Sequence, residues 1–472
     1  MNASLQGNSD RPEFLNVGGG RIKVQPADVH GRFLRWRRIV YAVLILHYLA
    51  LPFIKNGEHP AVHLDIDARR FYLAGQAFNA QDVWLVVFLL AAFAFGLVFL
   101  TSWAGRVWCG WGCPQTVFLE GIYRPIERLI EGNAVARQRL DAGPWGPRKV
   151  ALKASKQAIY LLVSLALAHW ALAFFVPVPQ LGQIVLHGPA GHAVLFGWAM
   201  GLTALMWFNF AWFREQFCVI LCPYGRLQSV LLDKQSLIIG YDSKRGEPRG
   251  KKLKVLPAEG AARGDCVDCG YCVRVCPTAI DIRRGPQLEC IGCAQCIDAC
   301  DEVMTNLERP RGLIRYDSLV GFEGGKKQVI RPRLFVYAGL SAAALLAVFL
   351  DVTALRSPFE ANLFRAGGTP YVLAGSTVRD QFELHVVNKH VEAADFELSV
   401  RAPEGATVVL PQPRIHLGSL ESLRTPIFVS IERAAFHGPF DVEVTLSDPA
   451  SGRTRTTTGR FIGPPVSPPA AP

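Results

Sequence analysis

Five apolar runs constrain this chain before anything else does: Ile39 to Ile54, Val83 to Trp103, Ala158 to Val178, Ala193 to Phe213 and Leu334 to Val352. Each carries almost no charge. At about 1.5 Å per helical residue, each crosses or nearly crosses a hydrocarbon core of roughly 30 Å. The first run is the shortest, and Trp36 and its neighbours extend it. With half of its 472 residues apolar, the chain is too hydrophobic to be wholly soluble and long enough for several domains.

A polar arm precedes the first run and no small-residue cleavage site follows it, so the run reads as a retained span and not as a cleaved signal. Arg32, Arg35, Arg37 and Arg38 crowd its entrance, and nine further Arg and Lys residues, from Arg106 to Lys156, lie between the second and third runs. Residues 179 to 192 carry no charge. The positive-inside rule then puts the N-terminus and the segments 104 to 157 and 214 to 333 in the cytoplasm, with everything after the fifth run outside. The expected organisation is an N-terminal arm over 1–35, a transmembrane hairpin over 36–104, a cytoplasmic segment over 105–157, and a second hairpin over 158–213. A cytoplasmic segment over 214–262, an iron-sulfur module over 263–305, a linker over 306–333, a fifth span over 334–352 and an outer domain over 356–472 follow.

The net charge of +11 is explained as loop charge that sets topology and meets anionic lipid headgroups, which leaves no call for a nucleic-acid partner. The run Lys244, Arg245, Arg249, Lys251, Lys252 and Lys254 reads as a solvated linker.

All twelve cysteines fall in short-spaced motifs on the side assigned to the cytoplasm, the reverse of a disulfide scaffold. CVDCGYCVRVCP and CIGCAQCIDAC, within residues 266 to 300, carry two runs of four. Three thiolates spaced two apart wrap three corners of a cubane, and the fourth of each run reaches the cluster of the other. Two [4Fe-4S] clusters are therefore expected, one on Cys266, Cys269, Cys272 and Cys300, the other on Cys290, Cys293, Cys296 and Cys276. Gly270, Gly292 and Ala294 suit the tight turns around them, and Asp301 stands where the second run would have its proline. Paired cysteines also build zinc sites, but zinc needs four ligands and gives no reason for a duplicated run of four.

The remaining four cysteines form a repeat. VWCGWGCPQTV places Cys109 and Cys113 after the second apolar run, and FCVILCPYGRL places Cys218 and Cys222 after the fourth, about 109 residues later. Two hairpins of one orientation would bring both pairs to one depth, each at a junction between a span and a surface helix opened by its proline. Arg106 and Arg214, just upstream, are expected to favour thiolate. Such a soft four-thiolate site suits Cu(I), zinc or a further iron-sulfur centre; a redox dithiol and simple core packing are the other readings.

Residues 356 to 472 alternate apolar and polar with period two and read as an all-β, immunoglobulin-like sandwich without catalytic residue types, ending in a flexible PPVSPPAAP tail. His47 and His169 lie at similar depth inside spans, where a packed, hydrogen-bonded histidine is preferred over a bis-histidine haem or a quinol site. His59 and His63, four apart in the outer loop, read as solvated.

With these residues in view, the chain resembles the cytochrome c oxidase accessory protein family (CcoG, also called FixG or RdxA). The resemblance runs through DARRFYLAGQAF, VWCGWGCPQTVF, the stretch from Arg214 to Gly250, the cysteine runs and RPRGLIRY at 309 to 316. It implies a polytopic protein of the bacterial inner membrane with two [4Fe-4S] clusters, a cytoplasmic ferredoxin module and a periplasmic C-terminal domain. It further implies reduction of Cu(II) to Cu(I) for the copper centre of the cbb3-type oxidase, with Cys109, Cys113, Cys218 and Cys222 handling copper. Copper itself comes from the resemblance alone. Implied partners are copper ions, oxidase assembly factors or copper chaperones and transporters, membrane lipid and an unidentified electron donor. A quinol dehydrogenase and a non-enzymatic redox-sensing scaffold are the rival readings.

Overall fold

The computed structural model describes residues 24–250 and 264–465, apart from residues 57–58, 67–69, 74–75, 80–81, 356, 391 and 420. The first 23 residues, Lys251, Lys252 and Lys254 of the basic run, and most of the proline-rich tail lie outside the described residues.

Among the described residues five helices are long and apolar enough to cross a membrane: Arg32–Phe53, Trp84–Ala104, Pro147–Leu172, Ala193–Phe213 and Pro332–Thr353. Their large apolar side chains, among them Val43, Leu46, Phe93, Leu162 and Phe349, face outward from the protein, as expected of helices whose solvent is lipid.

The third helix departs from the sequence reading. It begins at Pro147, eleven residues before the expected apolar run, and ends at Leu172; a separate helix, Val178–His187, follows. Nothing between Pro147 and Ala158 breaks a helix, and its three lysines all have partners. Lys149 donates to the carbonyls of Asp141 and Gly143 at 2.9 and 2.6 Å, where the preceding helix ends and where a cation is favoured. Lys153 pairs with Glu131 at 2.9 Å and Lys156 with Glu131 at 2.7 Å.

These pairs belong to a buried ionic core that corrects the reading of the basic residues as loop charge. Glu127, fully buried, accepts from Arg137 at 3.1 Å, from both terminal nitrogens of Arg214 at 3.2 Å and from Lys156 at 3.5 Å. Arg124, also buried, pairs with Glu120 at 3.1 Å and with Glu215. Such cations can leave water only because carboxylates meet them.

The chain forms two compact units, one of residues 1–63 and 84–347, the other of residues 64–83 and 348–472. In the first, the strands Ile238–Tyr241 and Ile314–Asp317 pair antiparallel, Ile238 opposite Asp317, and flank the cysteine runs on both sides. The module thus draws in chain from beyond 263–305. Its helices Tyr271–Arg274 and Gln295–Asn306 each follow a left-handed residue, Gly270 (φ 66°) and Ala294 (φ 62°). The N-terminal segment lies along it: the Ala27 N–H donates to the Arg274 carbonyl at 2.8 Å and Val29 packs on Val275 and Ala299.

The second unit is a two-sheet sandwich. One sheet runs Ala406–Val409, Ser422–Glu432, Thr377–Asn388, Phe359–Arg365, with Val372–Ala374 also paired to the third of these. The other runs Arg414–Leu417, Ala394–Arg401, Phe440–Asp448, Arg453–Phe461. Alternate residues such as Phe382, Leu384, Phe396, Leu398, Val442 and Val444 fill one core, the period-two pattern of strands buried on one face. The segment 64–83 belongs to this unit and forms a hairpin, Arg70–Leu73 with Gln76–Asn79.

Candidate iron-sulfur and thiol sites

The eight cysteines of the duplicated runs surround two cavities. One is lined by Cys266, Cys269, Cys272 and Cys300 together with Tyr241, Arg283, Leu313 and Ile314. The other is lined by Cys276, Cys290, Cys293 and Cys296 among Ile239, Ile280, Ile282 and Ile291, with Cys272 at its border. The fourth cysteine of each run therefore stands at the cavity of the other run. Left-handed backbone at Asp268, Gly270, Gly292 and Ala294 turns the chain around the sulfurs.

Burial pushes the thiols of Cys272, Cys290 and Cys300 up to about 12 and that of Cys293 to about 11, and lifts Cys296 well above its ordinary value. Neutral thiols are what such an apolar pocket tolerates; thiolates there need cationic iron beside them. Among the described residues no three His, Cys, Asp or Glu side chains close around a single-ion point. A cubane suits the wider spacing, because each thiolate takes its own iron.

The two CxxxC motifs share one backbone design. The Cys113 N–H donates to the Trp108 carbonyl at 2.8 Å and the Cys222 N–H to the Phe217 carbonyl at 2.9 Å, each five residues back, a wide turn that recurs at functional sites. Both cysteines are then extended (ψ 127° and 111°) before their proline, which opens the helices Pro114–Phe118 and Pro223–Leu231. The four thiols are electrostatic neighbours: Cys218 feels Cys109, Cys113 and Cys222, and Cys113 feels Cys222. They are not drawn to single-ion spacing.

Here the expected thiolate bias fails. Burial pushes Cys109 up to about 11 and Cys218 to about 12, and also raises Cys113. Arg106 opposes this at Cys109 without prevailing, and the Arg214 guanidinium is spent on Glu127.

The first motif rests directly on the cluster loop. A Cβ on Gly110 would come within 2.8 Å of the Ile291 carbonyl oxygen and 2.9 Å of Cys293 N and Cα; one on Gly292 would come within 2.9 Å of the Arg106 carbonyl oxygen. The Trp111 indole donates to Tyr316 Oη at 3.4 Å, and Tyr316 donates to the Gly292 carbonyl at 2.7 Å. Arg37, fully buried, donates through Nε to the Gly110 carbonyl at 3.1 Å, and Tyr41 donates to it at 2.6 Å. Gln228, also buried, donates to Cys109 Sγ at 3.3 Å.

Sequence reasoning missed Arg37, Tyr41, Gln228 and Glu127. For Gln228 the available signal was a single amide between Leu227 and the apolar Val230 to Leu232; Glu127, set among Arg124, Arg128 and Glu131, carried none. His169 donates through Nδ1 to the Leu165 carbonyl at 2.8 Å and lines an apolar cavity with Leu172, Leu181 and Leu195. His47 is exposed on its helix. His63 is buried, contrary to the solvated reading, because its strand turns it inward; the His59 side chain lies outside the described residues.

The chain matches the 4Fe-4S dicluster domain over residues 213–319, a 4Fe-4S binding domain over 85–132, and the IG-like fold at the C-terminal of FixG over 349–464. It is 34% identical over 464 residues to the nitrogen fixation protein FixG of Rhizobium meliloti (strain 1021), covering 88% of each chain. The chain belongs to the FixG/RdxA family. Protein RdxB of Cereibacter sphaeroides is 36% identical over 397 residues, covering 80% of this chain and 82% of RdxB. RdxA of the same organism is 35% identical over 411 residues, covering 82% and 83%. This FixG/RdxA-type chain is thus a membrane iron-sulfur electron-transfer protein, and both CxxxC motifs fall inside its 4Fe-4S matches.

Proposed function

We propose that this FixG/RdxA-type protein is a cupric reductase of the bacterial inner membrane, delivering Cu(I) for the copper centre of a cbb3-type cytochrome c oxidase. Two [4Fe-4S] clusters, held by Cys266, Cys269, Cys272 and Cys300 and by Cys276, Cys290, Cys293 and Cys296, supply one-electron storage when bound. Cys109, Cys113, Cys218 and Cys222 receive the copper substrate, which gains one electron per ion.

The observation that carries this reading is the contact of Gly110 with the Ile291 to Cys293 backbone, which leaves no room for a side chain between the thiol motif and a cluster cradle. The soft sulfur set supports it, because thiolates prefer Cu(I) over Cu(II) and so favour reduction. Burial keeps Cys109 and Cys218 protonated until metal arrives, and the Gln228 amide holds Cys109 in place. In this reading the N-terminus and the cysteine motifs face the cytoplasm and the β-sandwich faces the periplasm. Membrane lipid surrounds the helices, and oxidase assembly factors, copper chaperones or transporters and a separate electron donor meet the protein there.

The test is Cu(II) reduction by purified, reduced protein, followed with a Cu(I)-specific chelator. Replacing Cys109, Cys113, Cys218 and Cys222 together by Ala should abolish it with both clusters retained; an unchanged rate would remove these thiols from the reaction.

A further inference from the structure

Arg106 is the residue at which the thiol motifs and one cluster cradle meet. It follows Gly105, whose left-handed backbone (φ 63°) ends the second membrane helix, and it precedes Cys109 by three residues. Its guanidinium donates to the carbonyls of Leu288 and, at 3.4 Å, Cys290 on the cluster loop, and to the Gly225 carbonyl at 2.6 Å on the helix after Cys222. Its own carbonyl abuts Gly292. Gly225 in turn sits so close to Cys218 that a Cβ would fall 2.9 Å from the Cys218 carbonyl oxygen. A small cavity lined by Arg106, Val107, Cys290, Gly292 and Tyr316 marks the seam.

The contacts that Arg106 and Gly110 make with the cysteine runs fall on the loop from Leu288 to Cys293, whose Cys290 and Cys293 line the second cavity and not that of Cys266, Cys269, Cys272 and Cys300. The coupling is therefore one-sided. We propose that Arg106 is a positioning residue that locks the four thiols to the cradle of Cys276, Cys290, Cys293 and Cys296, so that metal on the thiols is felt at that cradle and not at the other. Only a planar fork with several fixed donors can hold carbonyls on three sides; a lysine ammonium on the same stem keeps the charge but not the fork.

This inference rests on the four-thiol site of the preceding reading but not on copper reduction. The experiment uses purified holoprotein reduced with dithionite, with EPR spectra taken before and after one equivalent of Cu(I) or of Cd(II), which takes thiolates but no electron. One of the two cluster signals should shift with either ion, and it should be the one that survives Cys269→Ser. In Arg106→Ala, with iron and sulfide content retained, the shift should be lost; in Arg106→Lys it should be partial. If Arg106→Ala loses its clusters, Arg106→Lys decides alone, a diminished shift supporting the proposal and a full one overturning it. A full shift in Arg106→Ala, a shift in the signal that Cys269→Ser removes, or no shift in the unaltered protein would each overturn it. A protein that shows the Cd(II) shift yet reduces no Cu(II) would sink the copper reading and leave this one standing.

Discussion

The Asp298 carboxylate accepts the Leu34 backbone N–H at 2.8 Å and that of Phe33 at 3.2 Å, so a helix of the iron-sulfur module caps the first membrane helix. The amides at the start of a helix lack partners within it, and a carboxylate both bonds them and meets the positive end of the helix dipole. Asp298 is buried and sits between Ile297 and Ala299, which pack in the module. Asp298→Ala should cost about 1 kcal/mol or somewhat more, read as a lowered temperature for loss of cluster absorbance in detergent. Asp298→Asn, which can still accept, should cost less; equal losses would show that the cap is unimportant.

Glu127 answers three cations at once, and removing it leaves Arg137, Arg214 and Lys156 buried around an empty place. Stranding a buried charge costs about 3–5 kcal/mol, so Glu127→Ala should abolish accumulation of folded protein or lower its melting temperature sharply. The exposed pair Arg414 and Glu397, at 83% and 49% side-chain exposure, serves as the contrast: Glu397→Ala should change stability by under about 1 kcal/mol. Thermal melts of both variants in one detergent compare the two.

The raised thiols predict two pH effects. In metal-free protein a thiol whose folded value lies above its ordinary 9.0 stabilises the fold fully below pH 9, and that contribution is lost as pH rises through about 11 for Cys109 and about 12 for Cys218. Metal binding must expel the same protons, so affinity should fall with falling pH by up to about tenfold per unit for each proton released. Competition titrations against a Cu(I) chelator across neutral pH measure this. A flat profile would mean that the thiols bind copper without ionising or do not bind it.

The parts legible in the sequence were those written in local pattern. Apolar runs announced helices, period-two alternation announced the sandwich, and cysteine spacing announced which thiols share a cavity, because a cubane and a short turn fix that spacing. What stayed hidden depends on distant pairs. Lys153 and Lys156 looked like loop charge because their acids, Asp141, Glu127 and Glu131, lie on other helices, and Lys149 because its partners are backbone carbonyls. Arg106 looked like a thiolate promoter because its carbonyl partners at Leu288, Cys290 and Gly225 are more than a hundred residues away. Burial outweighs its effect at Cys109, and burial cannot be read from neighbours in sequence.

Lys389 carries the last prediction. Its buried ammonium meets Asp82 at 2.9 Å and also pairs with Glu360, which joins the segment 64–83 to the β-sandwich within one unit. Lys389→Met removes the cation that both carboxylates meet and leaves two negative charges near each other. The variant should free the segment from the sandwich: protease cleavage between residues 64 and 83 should accelerate about a hundredfold or more if about 3 kcal/mol of the contact is lost. The double change Lys389→Met with Asp82→Asn removes one of the two negative charges and should recover part of the protection. If the segment in Lys389→Met is cut no faster than in the unaltered protein, the hairpin is held by its Tyr72 and Phe78 side chains and not by this ion pair.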